Sequence, residues 1–384
     1  GKDQKALQVL AQAVEEDPSF AEAHQMRAAI FHRQGELSQA IRSYSRILTI
    51  NPEDTEARFR RGVAYYELEQ FQKAVADWSL VIKQDPEYED AYYNRGIVYN
   101  QTGEYQKAVT DLSHFLETAG PDASALNNRG MAYTNLGEIE LAEQDFSNTV
   151  KHNPYHAQAH FNLGNIYFQR EDYQAARDAY LQAVELSQGD VDAQHNLGLT
   201  YLRLGDYELA LEQFNQVLEQ TPASTTARYN RAQALQSLGR MEEAVQAYTE
   251  LLENEDSLNQ VYLQRGQLYR DLGRLEDAVA DFTTFIAREP ENPDGYYQRG
   301  AAYYALEDLG QSLADWNRTI ELAPEFANAY YNRALIYYTK GEFDQALADL
   351  DQAAALDPEY PAAHLTRGNI FLEKRDYDSA LEDY

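Results

Sequence analysis

The sequence contains no cysteine in 384 residues. That absence excludes disulfide bridges, thiolate metal sites and a cysteine nucleophile. It does not fix a compartment, and a soluble, cytoplasmic protein is the expectation. No apolar run approaches the roughly 18–20 residues that a membrane span needs, so direct membrane insertion is not expected. No signal-peptide pattern opens the chain. Positive charge is scarce, with 32 Lys and Arg against 63 Asp and Glu and a formal net charge of −31. A field of that sign repels phosphate backbones and favours basic or mixed-charge partners, which removes nucleic acid from the expected ligands. Catalytic signatures are missing too: there is no Gly-rich phosphate loop, no G-x-S-x-G elbow and no H-E-x-x-H. Carboxylates are spread so evenly that no pair stands out as acid and base. His152, His156 and His160 offer metal-ligand spacing, but Pro154 interrupts the helix that would align them. The chain is therefore read as a non-enzyme without cofactor or metal.

Proline is also sparse, and its placement organises the chain. Pro18, Pro52, Pro86, Pro154, Pro222, Pro290, Pro324 and Pro358 are separated by 34 residues or multiples of 34. Pro121, Pro293 and Pro361 fall one to three positions after the same phase point. All 11 prolines thus belong to one kind of turn, where a residue without an N–H does least harm. We number each unit 1 to 34 with this proline at position 32.

Small residues keep the same phase. Position 8 is Gly or Ala throughout, from Ala28 and Gly62 to Ala334 and Gly368, and position 20 is Ala except at Ser312. Paired small positions on successive segments imply two closely crossing helices. Position 15 is Gly at residues 1, 35, 103, 137, 205, 239, 273 and 341, which suits a helix C-terminal cap. Between these marks apolar residues recur at helical spacing, as in Tyr105, Ala108, Val109, Leu112 and Phe115. Helices of about 12–14 residues are marginal alone, so neighbouring units must stabilise them.

The pattern resembles the tetratricopeptide repeat family, as in AYYNRGIVYNQTGEYQKAVTDL at 91–112 and AHFNLGNIYFQREDYQAARDAY at 159–180. The resemblance implies an all-α, right-handed superhelical solenoid of antiparallel helix pairs whose first helices line a groove. It divides the chain into a half repeat at 1–20, full repeats at 21–54, 55–88, 89–122, 123–156, 157–190, 191–224, 225–258, 259–292, 293–326 and 327–360, and a partial repeat at 361–384. Both ends break inside a unit without a polar cap, so the sequence reads as a piece of a longer protein.

One charge pattern is written into the repeats. Position 7 is Arg at residues 27, 61, 95, 129, 231, 265, 299, 333 and 367, and position 23 is Asp at 77, 111, 145, 281, 315, 349 and 383. Every unit with the Asp also carries the Arg. Leu163 and Leu197 accompany Ala179 and Gln213, whereas Arg27 faces Ser43 and Arg231 faces Ala247. This co-occurrence predicts a salt bridge between the two helices of one repeat.

If the family geometry holds, positions 2, 5, 6, 9, 12 and 13 face the groove. Position 6 supplies Asn94, Asn128, Asn162, Asn196, Asn230 and Asn332, with Gln264 and Gln298 between them. Such a ladder offers donors and acceptors to an extended peptide backbone, as in long arrays of sugar-transferring enzymes of this family; the alternative is a purely structural role. Position 5 adds Phe59, Tyr93, Phe161, Tyr229, Tyr297 and Tyr331, and position 12 adds Tyr66, Phe168, Tyr304 and Tyr338. These rings suit a recognition surface, or alternatively packing between adjacent first helices. Family members that grip the acidic tails of heat-shock chaperones use Lys at position 5 and basic residues at positions 2 and 6. Here only Arg60 fits, so such tails are not expected partners. The reading is a scaffold for protein or peptide partners. Two alternatives stand beside it: a recruiting arm of an enzyme whose catalytic part lies outside this sequence, and a subunit that self-associates end to end. Units 157–258, where the Arg–Asp pair is lost, are expected to be a softer joint or a distinct docking site.

Overall fold

The computed structural model describes residues 2–255 and 257–384. Gly1, one of the position-15 glycines, and Asp256 lie outside the described residues. Twenty-three α-helices and no strand occur among the described residues. The first, α1, is Lys2–Glu16; then α2 (Ala21–Arg33) and α3 (Leu37–Ile50) form one hairpin, and α4 (Thr55–Glu67) and α5 (Phe71–Gln84) the next. The series continues with α6 (Glu89–Gln101), α7 (Tyr105–Thr118), α8 (Ala123–Leu136), α9 (Ile139–His152), α10 (Ala157–Gln169), α11 (Tyr173–Leu186) and α12 (Val191–Leu204). It then runs through α13 (Tyr207–Gln220), α14 (Thr225–Ser237), α15 (Met241–Asn254), α16 (Asn259–Asp271), α17 (Leu275–Arg288) and α18 (Pro293–Ala305). The last are α19 (Leu309–Leu322), α20 (Ala327–Thr339), α21 (Phe343–Leu356), α22 (Pro361–Glu373) and α23 (Tyr377–Asp383). First helices thus begin at position 1 and second helices at position 17, in the expected phase. The molecule is an all-α solenoid of helix pairs, and it divides into two compact units, Gly1–Thr200 and Tyr201–Tyr384.

Each boundary has a local cause. Asp54, Asp122 and Ser224 start α4, α8 and α14 by accepting the N–H of Ala57, Ala125 and Ala227, which satisfies one of the free donors of the first turn. The first helix stops where position 15 turns left-handed: Gly137 has φ +80°, and the N–H of Glu138 donates back to Tyr133 O at 2.9 Å. Where glycine is missing the turn is unchanged, since Glu69, Glu171, Glu307 and Arg375 adopt φ between +57° and +62°. The hairpin geometry therefore overrides the intrinsic cost of that conformation for a side-chain-bearing residue.

Inside each hairpin a small residue at position 8 seats a large one at position 24. Trp78, Phe146, Tyr180, Phe282 and Trp316 are fully or almost fully buried, and a Cβ added at Gly62, Gly130, Gly164, Gly266 or Gly300 would meet the respective ring within 2.7 Å. Where position 8 is alanine, Ala28, Ala232 and Ala334 are wholly buried in the same place. The core is thus a row of large side chains seated in notches, aromatic in most repeats and leucine at Leu112 and Leu350, without space for a branched side chain at position 8.

Replacing Gly137 with Ala is expected to lower stability by about 1 kcal/mol, because only the left-handed penalty changes at an open position. Glu307→Gly at the same position of another repeat should be neutral or stabilising by up to about 1 kcal/mol. Urea titrations of the two variants check the opposite signs.

Candidate binding surface

The side chains that fix the first helices come before those they present. All seven predicted Arg–Asp pairs form, between the two helices of one repeat. In the six from Arg61–Asp77 to Arg333–Asp349, Nε and Nη2 each donate to one carboxylate oxygen at 2.7–2.9 Å. Arg367 makes the same two-pronged contact with Asp383. The carboxylates are nearly buried, with Asp145 only 4% exposed. Burial pushes the Asp281 carboxyl up, against the opposing pull of Arg265, and hydrogen bonding to Asp145 raises Arg129 above its ordinary range.

A third contact was not legible in the sequence. Nη1 of each arginine reaches back to position 25 of the preceding repeat: Arg61 to Ser45 at 3.0 Å, Arg95 to Ser79 at 2.9 Å, Arg129 to Ser113 at 3.1 Å and Arg265 to Thr249 at 3.0 Å. Arg299, Arg333 and Arg367 do the same with Thr283, Asn317 and Asp351. One guanidinium therefore ties three helices. Its flat faces are covered in turn: Arg95 lies between Tyr92 and Tyr99, 5.8 and 5.7 Å from their ring centres, and Arg265 between Tyr262 and Tyr269.

With the helices so held, positions 5, 9, 12 and 13 of α2 face positions 2, 6 and 13 of α4 across a cleft of about 550 Å³. Its walls carry Gln25, Ala29, His32, Arg33, Glu56, Arg60 and Glu67. His32 Nε2 lies 3.0 Å from Glu67, Arg60 pairs with Glu56 on its own helix, and the Tyr88 hydroxyl donates to Glu56 at 2.7 Å. Burial, and secondarily that bond to Glu56, push the Tyr88 hydroxyl far up. His32, Glu56 and Glu67 were not singled out from the sequence, because acidic residues such as Glu22, Glu56 and Asp90 at position 2 read as an ordinary solvated face, and His32 has no counterpart in the other repeats.

A second cleft, of about 200 Å³, opens between α8 and α10 and is walled by amides: Asn135, Asn162, Asn165 and Gln169, beside Met131 and Ile166. Asn162 donates to Asn127 at 3.3 Å, and Asn165 accepts from both Asn196 at 3.1 Å and Tyr180 at 2.7 Å. Three repeats of the asparagine ladder are joined here. Elsewhere the ladder turns onto its own helices at Asn94 and Asn128, whereas Asn332 reaches back to the preceding repeat. Asn94 and Asn128 donate to Asp90 O and Ser124 O of their own helices, Asn230 is buried, and Asn332 donates to Tyr297. A carboxamide has two N–H and two lone pairs, so each half-exposed member keeps capacity beyond these bonds.

The aromatic set packs its rings mainly within its own repeat, and Tyr66, Tyr297 and Tyr338 also bond through their hydroxyls to the next first helix. The rings of the set rest on second helices or on the last residue of their own repeat, just before the next first helix. Phe59 lies 5.0 Å from Tyr88, Tyr66 5.9 Å from Phe71, Tyr93 5.0 Å from Phe115, and Phe161 5.9 Å from Tyr180. Phe168 meets Tyr173, Tyr229 meets Tyr248, Tyr297 meets Phe326, Tyr304 meets Trp316, Tyr331 meets Tyr360 and Tyr338 meets Phe343. These rings line the surface with one edge while anchoring the hairpin with the other; Tyr304 is the most exposed, at 37%. The histidines at 156 and 160 are engaged in capping: His156 accepts the N–H of Ala159 and His160 contacts Pro154 O at 3.0 Å. Among the described residues no group of three His, Asp or Glu gathers to hold an ion, and no helix is long and apolar enough to cross a membrane.

Removing Asp145 alone, by Asp145→Ala, is expected to cost about 3 kcal/mol, since it strands a largely buried guanidinium. The double change Arg129→Leu with Asp145→Ala, which copies Leu163 and Ala179, should recover most of that loss. Equal unfolding midpoints for the single and double variants would show that the pair carries no such coupling.

Comparison with known proteins bears on this geometry at the level of the repeat. Family models described as tetratricopeptide or TPR repeats match residues 28–92, 89–119, 123–151, 164–205, 195–257, 266–307, 302–341 and 334–374. No curated protein matches the sequence. Among solved structures, yeast Tom70 is 18% identical over 95% of this chain and 90% of its own, with a TM-score of 0.42. A tetratricopeptide repeat protein from Parabacteroides merdae is 20% identical, covering 61% and 92%, with a TM-score of 0.45. YrrB, described as a TPR protein with an unusual peptide-binding site, is 20% identical, covering 49% and 97%, with a TM-score of 0.44. All three scores lie below 0.5, so the assignment rests on the repeat models and on the residues that carry the pattern. The helix pairs, the 34-residue phase and those matches together place this chain in the tetratricopeptide repeat family.

Proposed function

We propose that the protein is an interaction scaffold that binds an extended, mixed-charge protein segment against its first helices. The observation that carries this reading is the cleft between α2 and α4, whose walls come from the groove-facing positions and present His32, Arg33 and Arg60 beside Glu56 and Glu67. Such a wall complements a segment with alternating charge, and the excess of 63 acidic over 32 basic residues adds a long-range pull on its cations. The amide-walled cleft between α8 and α10 supports the same reading, because Asn162 and Asn165 address a peptide backbone without selecting its side chains.

Replacing Asn128, Asn162 and Asn196 together with Ala tests it. Each lost amide contact to a ligand is worth about 0.5–1.5 kcal/mol, so affinity for a captured partner should fall between about tenfold and a thousandfold. Thermal unfolding of the variant separates this loss from damage to the hairpins. Partners that survive in pull-down from a folded triple variant rule the ladder out as the contact surface.

A further inference from the structure

Repeats that lack the position-23 aspartate solve the charge problem in two ways. In 157–190 and 191–224 the arginine is replaced as well, by Leu163 and Leu197, both buried. In 225–258 the arginine is kept: Arg231 on α14 faces Ala247 on α15, and the Arg231 Nε is buried with no hydrogen-bond acceptor. Arg27, which faces Ser43, shows the same orphaned Nε. At Arg231 the missing carboxylate leaves space, a cavity of about 320 Å³ bounded by Arg228, Arg231 and Ala247, with Leu218 on one wall and Glu250 and Glu253 also lining it. Ala247 is buried, whereas both glutamates are exposed. The cavity lies at positions 4 and 7 of α14, on the side of that helix away from positions 2, 5, 6 and 9.

We propose that this cavity is a receptor for a carboxylate supplied by a partner protein, which occupies the place of the missing aspartate and is held by Nε and Nη2 of Arg231. The seven intact repeats show what such an arginine holds: a planar carboxylate, gripped at two points. Charge balance selects within that class. Arg228 and Arg231 are offset by Glu250 and Glu253, so the site as a whole is neutral and disfavours a dianion such as phosphate. The exposed glutamates instead suit a cation next to the incoming carboxylate. The preferred ligand is a mixed-charge segment that brings an acidic group and a basic neighbour together. The carboxylate is either a side chain or a chain terminus. This inference is independent of the surface formed by the first helices, because it uses the opposite side of α14.

The test is chemical complementation on the full chain. Sodium formate should raise the unfolding temperature saturably, by about 2–4 °C beyond sodium chloride at equal ionic strength. The formate-specific rise should vanish in Ala247→Asp, which restores the internal partner, and in Arg231→Leu, which copies Leu163 and keeps the assay interpretable should the first variant fold poorly. Two further arms locate the source: N-acetylglycine stands for a chain terminus and N-acetylaspartyl amide for a side chain, and the one that reproduces the formate shift identifies it. No rise beyond chloride, a rise that persists in Arg231→Leu, a larger effect of phosphate, or failure of both amino-acid probes would each overturn the proposal.

Discussion

The structure depends on a guanidinium that holds two helices of its own repeat and one of the repeat before it. Ring-in-notch contacts join the helices within a hairpin, and apolar clusters such as that of Leu112 with Ala125 and Ala132 carry the packing on to the next repeat. The arginine adds an angular constraint: two N–H groups are fixed by the aspartate, and the third can bond only if position 25 of the preceding repeat comes within about 3 Å. Placing a charged pair at 4–9% exposure on the carboxylate side costs solvation. The hydrogen bonds on every edge and the tyrosines on the faces offset that cost. A buried pair of this kind serves specificity of register more than net stability, which is why its loss in one repeat is tolerated when both members go together.

The second constraint is steric. Position 8 must be small because position 24 is large, and the two sit at the crossing point of the hairpin. Burial of Trp78, Trp316, Phe146 or Tyr180 at that point removes more apolar area than a leucine would. Variation between these rings leaves the backbone in place, as the regular boundaries of the helices show. The left-handed turn at position 15 follows from the same demand. Once the crossing is fixed, only one chain reversal connects the helices, and Glu69 or Arg375 adopts it despite the side chain.

How much of this was legible in the sequence depended on whether a feature repeats. Proline phase, the small residues at positions 8 and 20, and the joint occurrence of Arg61 with Asp77 or Arg129 with Asp145 recur often enough to fix helix limits and partners before any coordinates. The contact to Ser45 or Ser113 did not stand out, because serine, threonine, asparagine and aspartate alternate there and each is ordinary on a helix surface. The aromatic series was visible, but not its direction: helical spacing places Tyr93 on a face without saying that its ring leans on Phe115. Of the cleft residues, His32 has no counterpart at its position, and Glu56 and Glu67 sit where acidic residues recur only irregularly, so nothing marked this one junction.

This division has a physical origin. Residues that hold one repeat to the next solve the same problem at each junction, and so they recur with the period. Residues that contact side chains outside this protein meet a different partner atom at each junction and need not recur, whereas those that address an extended backbone, as the asparagine ladder would, can keep the period. Departures from the period are therefore more informative about recognition of side chains than the period itself. Asn165, accepting from two side chains beside the amide cleft, and Arg60, which stands just before the run of amides from Asn94 to Asn332, are departures on the first-helix side. Ala247 is one on the other side, where Arg231 is retained although the sister arginines meet an aspartate of their own repeat as well as position 25 of the repeat before. A buried cationic donor kept without its acceptor raises the free energy of the isolated chain. The same energetic gap makes a carboxylate brought from outside bind more favourably there than at a site whose donors are already satisfied.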